Sequence, residues 1–144
     1  MKTRIKIGSI AALLCIAMPF LSRLPGGFDW VAQYLPDKGH FLLGALLMGA
    51  FALVPAIVVF FAALLSKPPF YFPVLFSTLV ALAMLGYWHH DNDLAADAQA
   101  AISLAIIPIN ASSLAFAGGL VGIVCQFATQ RLKNGTEQGF DSNA

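Results

Sequence analysis

The stretch GYWHHDNDLAADAQAA, residues 86–101, gathers His89, His90, Asp91, Asp93 and Asp97 into one short run between two apolar segments. Imidazole nitrogens and carboxylates are zinc-binding groups, and His40 would supply a third histidine. His40, His89, His90, Asp91 and Asp93 therefore form a candidate zinc site if the segments that carry them meet at one side of a membrane. The same residues have a plainer reading. A histidine pair beside Trp88 can sit at a membrane interface with its nitrogens in water, while Asp93 caps a helix that begins at Leu94. A calcium loop starting at Asp91 is excluded, because Ala96 would stand where glycine is required and Ile102 where the bidentate glutamate belongs.

Nucleophilic chemistry finds less support. Ser103, Ser112 and Ser113 lie in the last apolar segment without a nucleophile-elbow motif. Phosphate-cradling glycine loops are absent, and no basic stripe interleaved with aromatics suggests nucleic acid as a partner. The expectation is a protein without a catalytic site.

The elements that must position these residues are membrane helices. The 144-residue chain is 59% hydrophobic and only 10% charged, with a mean hydropathy of +0.80. Those values lie outside the soluble globular range. A helix needs about 20 residues to cross the hydrocarbon, and four apolar runs qualify, at 7–22, 41–66, 74–88 and 98–128. The fold class is all-α: a polytopic bundle forming one domain over 1–133, with a disordered polar tail at 134–144. The first run follows Lys2, Arg4 and Lys6 and lacks a small-x-small cleavage site, so it reads as an uncleaved signal-anchor helix. Cys15 and Cys125 fall inside apolar runs and read as small hydrophobes.

Lys and Arg in short loops stay cytoplasmic. Both termini inside places Lys2, Arg4, Lys6, Lys67, Arg131 and Lys133 on the inner face and leaves Arg23 and Lys38 outside. The outer face then holds five of the seven acidic residues and all three histidines. Trp30, Tyr34, Tyr87 and Trp88 would mark its boundary, and FDWVAQYL would form a short interfacial helix lying on the bilayer. The inner turn, SKPPFYFP, is stiffened by prolines and should hold the second and third spans as a hairpin. Pro55 predicts a bend in the second span, and Pro108 with Asn110 predicts a broken or kinked last span.

Two faces emerge on that last span at 100° per residue. Ala111, Ala115, Gly118, Gly119 and Gly122 form a small face suited to close helix packing, within this chain or with a second copy. Gln99, Ser103, Asn110 and Ser113 form a polar lane, read as interhelical hydrogen bonding or as a route for water, a proton or an ion.

The stretch LPDKGHFLLGALLMG resembles a segment of VanZ-like membrane proteins, in which Asp-Lys precedes His-Phe and a glycine-containing apolar helix. Asp37, Lys38, His40, Phe41 and Gly44 are the matching positions, with one residue rather than two between Lys and His. The resemblance implies a small bacterial envelope protein concerned with cell-wall glycopeptide susceptibility. From the residues themselves, the expectation is a non-enzymatic interaction protein of a bacterial inner membrane, an accessory subunit or a toxin-immunity type. Its partners would be the lipid bilayer and another membrane protein or itself. The alternative is an ion- or metal-responsive protein, with zinc at the His/Asp cluster.

Overall fold

A computed structural model describes residues 1–35, 41–95 and 100–141, and the described residues form helices and turns without strands. Helix α1 spans Lys2–Leu21, a 3-10 turn follows at Leu24–Gly26, and α2 is a short helix at Phe28–Ala32. Helices α3 (Phe41–Leu65), α4 (Phe72–Asp91) and α5 (Ala100–Asp141) complete the chain. Helices α1, α3, α4 and α5 are each long and apolar enough to cross a membrane. The chain is thus a multi-pass membrane protein by the length and composition of its helices.

Helix α1 packs on α3 and α4, and α5 packs on the same two, so α1 and α5 stand on opposite sides of the bundle. Small residues set this arrangement. In α1, Gly8, Ala11, Cys15 and Pro19 are buried and recur at helical spacing, while Ile10, Leu13 and Leu14 face outward. A Cβ on Gly8 would stand 2.9 Å from Ala63 Cβ, so glycine is what lets α1 approach α3 here. Ala56, Val59, Ala63, Ala81, Ala111 and Ala115 continue the interior. In lipid no hydrophobic force separates helix from solvent, so close backbone approach and its van der Waals contacts do the binding.

The predicted small face of α5 lies against α4. Ala111 and Ala115 are fully buried, and a Cβ on Gly122 would meet Phe72 O at 2.5 Å and Pro73 Cα at 2.6 Å. One on Gly118 would stand 3.0 Å from Phe76 O, whereas one on Gly119 would make only ordinary contact with Ala62 and Ser77 at 3.8 Å. Within one chain the face joins α5 to α4 and, at Gly119, to α3.

Several expectations need correction. Of the broken or kinked last span expected at Pro108, the break does not occur: α5 runs as one helix from Ala100 to Asp141. Proline removes a single intrahelical bond, and Ser112 Oγ donates to the Pro108 carbonyl at 2.5 Å, adding a local contact. Helix α3 also continues through Pro55, which is compatible with the bend expected there. Of the tail expected at 134–144, residues up to Asp141 continue α5 as helix, and 142–144 lie outside the described residues. Helix α1 begins at Lys2 rather than at residue 7, because a basic first turn is compatible with helix even where it cannot enter lipid.

The connection between α3 and α4 is fastened from both sides. Ser66 Oγ donates to Ala62 O and accepts the Val74 N–H, and Gln126 of α5 accepts the Lys67 N–H at 2.6 Å. Arg4 of α1 donates to Leu64 O, so the start of α1, the end of α3 and the middle of α5 share one end of the bundle. The turns before α2, the end of α4 and the beginning of α5 share the other.

Candidate functional site: an arginine clamp at the loop end

Where α1 ends, the chain reads SRLPGGFDW, and Arg23 turns back into the protein instead of out toward water. It is fully buried, the largest side chain to be so among the described residues. Its guanidinium donates through Nε to Trp30 O at 2.7 Å and through one terminal nitrogen to His89 O at 2.9 Å and Asn92 O at 2.6 Å. The other terminal nitrogen reaches Gln33 Oε1 at 2.6 Å. The planar group lies over the Trp30 ring at 4.5 Å and the Tyr34 ring at 4.0 Å.

This geometry has a clear electrostatic cause. The last carbonyls of a helix lack intrahelical donors, and the macrodipole places partial negative charge there. Arg23 satisfies two acceptors at the end of α4, and Trp30 Nε1 takes a third by donating to His90 O at 3.2 Å. The guanidinium fork suits this role because its donors lie in fixed directions and its faces can stack on aromatic rings. Gln33 extends the cluster: its Nε2 donates to Asp93 Oδ1 at 3.0 Å, and its Oε1 also accepts the Leu94 N–H. Asp93 is thereby linked to the buried cation through a neutral amide.

The clamp seats a second layer. Tyr34 is almost completely buried, its hydroxyl 2.8 Å from His89 Nδ1 and its ring edge-on to that of His89. Burial pushes the Tyr34 phenol above its ordinary value of 10.0, against hydrogen bonding to Asn92 and the nearby Arg23 charge, which lower it. Phe20, Met48 and Leu104 pack around Tyr34, so three of the long helices meet at this ring. The guanidinium's hydrogen-bond partners are all neutral acceptors, an arrangement suited to positioning the loop.

The residues singled out by sequence fall into different places. His89 is buried against Tyr34, while His90 is exposed and donates from Nδ1 to Ser22 O at 3.0 Å. Asp91 is exposed, and Asp93 accepts from Gln33 and from the Ala95 N–H, closing a turn at the position expected to cap a helix from Leu94. Residues 96–99 lie outside the described residues, and the described part of α5 starts at Ala100. No group of three metal-ligating side chains converges among the described residues, and His40 lies outside them. Of the polar lane, Ser103 donates to Asn92 Oδ1 at 2.7 Å, and Ser113 bonds back to Ile109 O of its own helix. Asn110 lines a cavity with Trp88, Asp91, Asn92 and Ser103, and Gln99 lies outside the described residues. Ser103 and Asn110 thus share one cavity, whereas Ser113 bonds within its own helix.

A short helix, α2, forms within the expected segment, and the buried aromatic there is Tyr34, which enters the protein interior. Phe28 is largely exposed. Arg23 was visible in sequence only as a loop charge. A local signal existed in an arginine directly after an apolar helix and followed by Trp, Gln and Tyr, but its carbonyl partners belong to α4 and leave no mark on side-chain types.

Comparison of the chain with protein-family models, curated proteins and solved structures returns no match. Of the segment that resembles VanZ-like proteins, Asp37, Lys38 and His40 lie outside the described residues, and Gly44 is buried on α3.

Proposed function

We propose that this chain is a small non-enzymatic interaction protein that acts through helix contacts within the bilayer, as an accessory subunit or an immunity protein does. The observation that carries this reading is the Arg23 clamp. The polar groups best suited to chemistry in the loop region, His89, Asn92, Gln33 and Asp93, are engaged in holding α2 to the end of α4. What the chain offers outward is apolar helix surface, such as Leu13 of α1, Leu46 of α3 and Val124 of α5.

Both termini then face the cytoplasm, with the clamp on the outer side of a bacterial inner membrane, as the distribution of Lys and Arg suggests. A photoreactive amino acid at Leu13, Leu46 or Val124, activated in native membranes, tests the reading. A discrete protein adduct from one face and not the others supports it. Adducts with lipid alone from all three positions would contradict it.

A further inference from the structure

Between the α3–α4 hairpin and α5 runs an open groove of about 290 Å³, lined by Ile57, Phe61, Leu65, Phe116, Leu120 and Ile123 among others. From Ile57 to Leu65 it follows α3 for roughly 12 Å at 1.5 Å per residue. That is close to the depth of one leaflet, roughly half of a 30 Å hydrocarbon core. The groove is apolar with one exception. Ser77, fully buried on α4, lines it, and its hydroxyl has no hydrogen-bond partner. Gly119 leaves room there: a Cβ at that position would stand 3.9 Å from Ser77 Oγ. An unpaired hydroxyl inside an apolar protein is costly, and in a membrane helix such a group ordinarily bonds its own backbone or a neighbour.

Directly beyond Leu65 and Pro73 lies a second cavity, of about 230 Å³, lined by Lys67, Gln126, Thr129, Gln130 and Lys133 with the turn prolines and Phe70. Along α5 the two lie end to end, with the buried Gln126 side chain, bonded to the Lys67 N–H and the Leu65 carbonyl, at their junction. Ala115, Gly119, Ile123, Gln126, Gln130 and Lys133 recur at spacings of three and four and so share one stripe of the helix. The apolar groove thus adjoins a pocket rimmed by two exposed lysines, with no acidic side chain among the described residues that line it.

We propose that this composite groove binds one anionic glycerophospholipid from the leaflet at the Lys67 end of the bundle. An acyl chain lies along α3 and α5, the Ser77 hydroxyl, covered in this structure, turns out beside Gly119 to donate to a lipid acceptor near the top of the chain, and the phosphate rests between Lys67 and Lys133. A neutral lipid fills the apolar part but gains nothing from the lysines. A water-soluble anion gains the lysines but leaves the groove and Ser77 unfilled. The inference does not rest on the chain having a protein partner.

Native mass spectrometry of the purified full chain, released from nanodiscs, tests it. Phosphatidylglycerol should be retained over phosphatidylcholine of the same acyl chains by about thirtyfold, from about fivefold for each lysine near the membrane surface. The double variant Lys67→Glu with Lys133→Glu, at two exposed positions, should lose that preference while retaining its helical circular dichroism. Ser77→Ala should reduce retention of phosphatidylglycerol several-fold, yet raise the melting temperature of the delipidated protein by removing the unpaired hydroxyl. Leu120→Trp, which fills the groove from its exposed side, should reduce retention of both lipids. Equal retention of the two lipids would overturn the proposal, as would a preference that survives charge reversal. So would competition by glycerol phosphate as effective as that by the whole lipid.

Discussion

Replacing Arg23 by Met removes four hydrogen bonds at once and leaves a side chain of similar length in the space. The His89 carbonyl that loses its donor is buried, and an unpaired buried acceptor costs about 1–3 kcal/mol. The other three acceptors, on Trp30, Asn92 and Gln33, are only partly buried, so water replaces part of what is lost, at about 0.5–1 kcal/mol each. Two ring contacts add about 0.5–1 kcal/mol apiece. Against these stands relief from desolvating a guanidinium, which amounts to several kcal/mol. The lost contacts amount to about 3.5–8 kcal/mol, so after that offset the expected net loss is about 1–4 kcal/mol, up to a large share of an ordinary domain's 5–15 kcal/mol. Arg23→Lys sharpens the test. Lysine keeps the buried charge and its desolvation cost, but its compact ammonium cannot span the four acceptors or stack between the rings. It should therefore stabilise no better than Met. Equilibrium unfolding in mixed micelles reads both variants. If Lys restores wild-type stability, charge and not the fork geometry holds the loop; if Met lies within about 0.5 kcal/mol of wild type, a range usual for surface substitutions, the clamp is incidental.

Gly122→Ala should destabilise by about 1–3 kcal/mol, because its Cβ would strike the α4 backbone, whereas Gly49→Ala, with open space at that position, should be neutral or slightly stabilising in the same assay. The Tyr34 phenol has a raised value in the folded state, so it contributes stability that is fully present below its unfolded value of 10.0 and is lost as pH rises through the folded one. Thermal melts should accordingly show an alkaline loss above about pH 10 that is smaller in Tyr34→Phe; identical alkaline profiles would refute the assignment. For orientation, a cysteine in place of exposed Asp29 should react with an impermeant maleimide on intact cells, and one in place of Lys67 only after permeabilisation; the reverse pattern would invert the proposed topology.

The four spans were legible because lipid imposes a length and a composition on any helix that crosses it, and the runs around Val59, Ala81 and Ala115 meet both. The small face was legible for a similar reason: Gly118 and Gly122 recur at a spacing that exposes backbone. Helix continuity at Pro108 was not, since one missing bond decides nothing when neighbouring turns and a packed partner hold the helix. The site was harder still. His89, His90 and Asp93 attract attention as ligating types, but whether they converge depends on which way each points at the end of α4. His89 faces Tyr34, His90 faces Ser22, and Asp93 faces Gln33. The residue that organises them, Arg23, binds mainly backbone carbonyls, and a carbonyl looks the same behind every side chain.

Amide hydrogen exchange across residues 28–35 and 89–95, at fixed pH and with or without zinc, tests most directly whether this region is a clamp. In wild type both segments should be protected to the same degree whether or not zinc is present, and Arg23→Met should expose both together. Added protection by zinc that depends on His89 and His90, with Arg23→Met exchanging like wild type, would contradict the account and make the histidine-aspartate stretch a metal site.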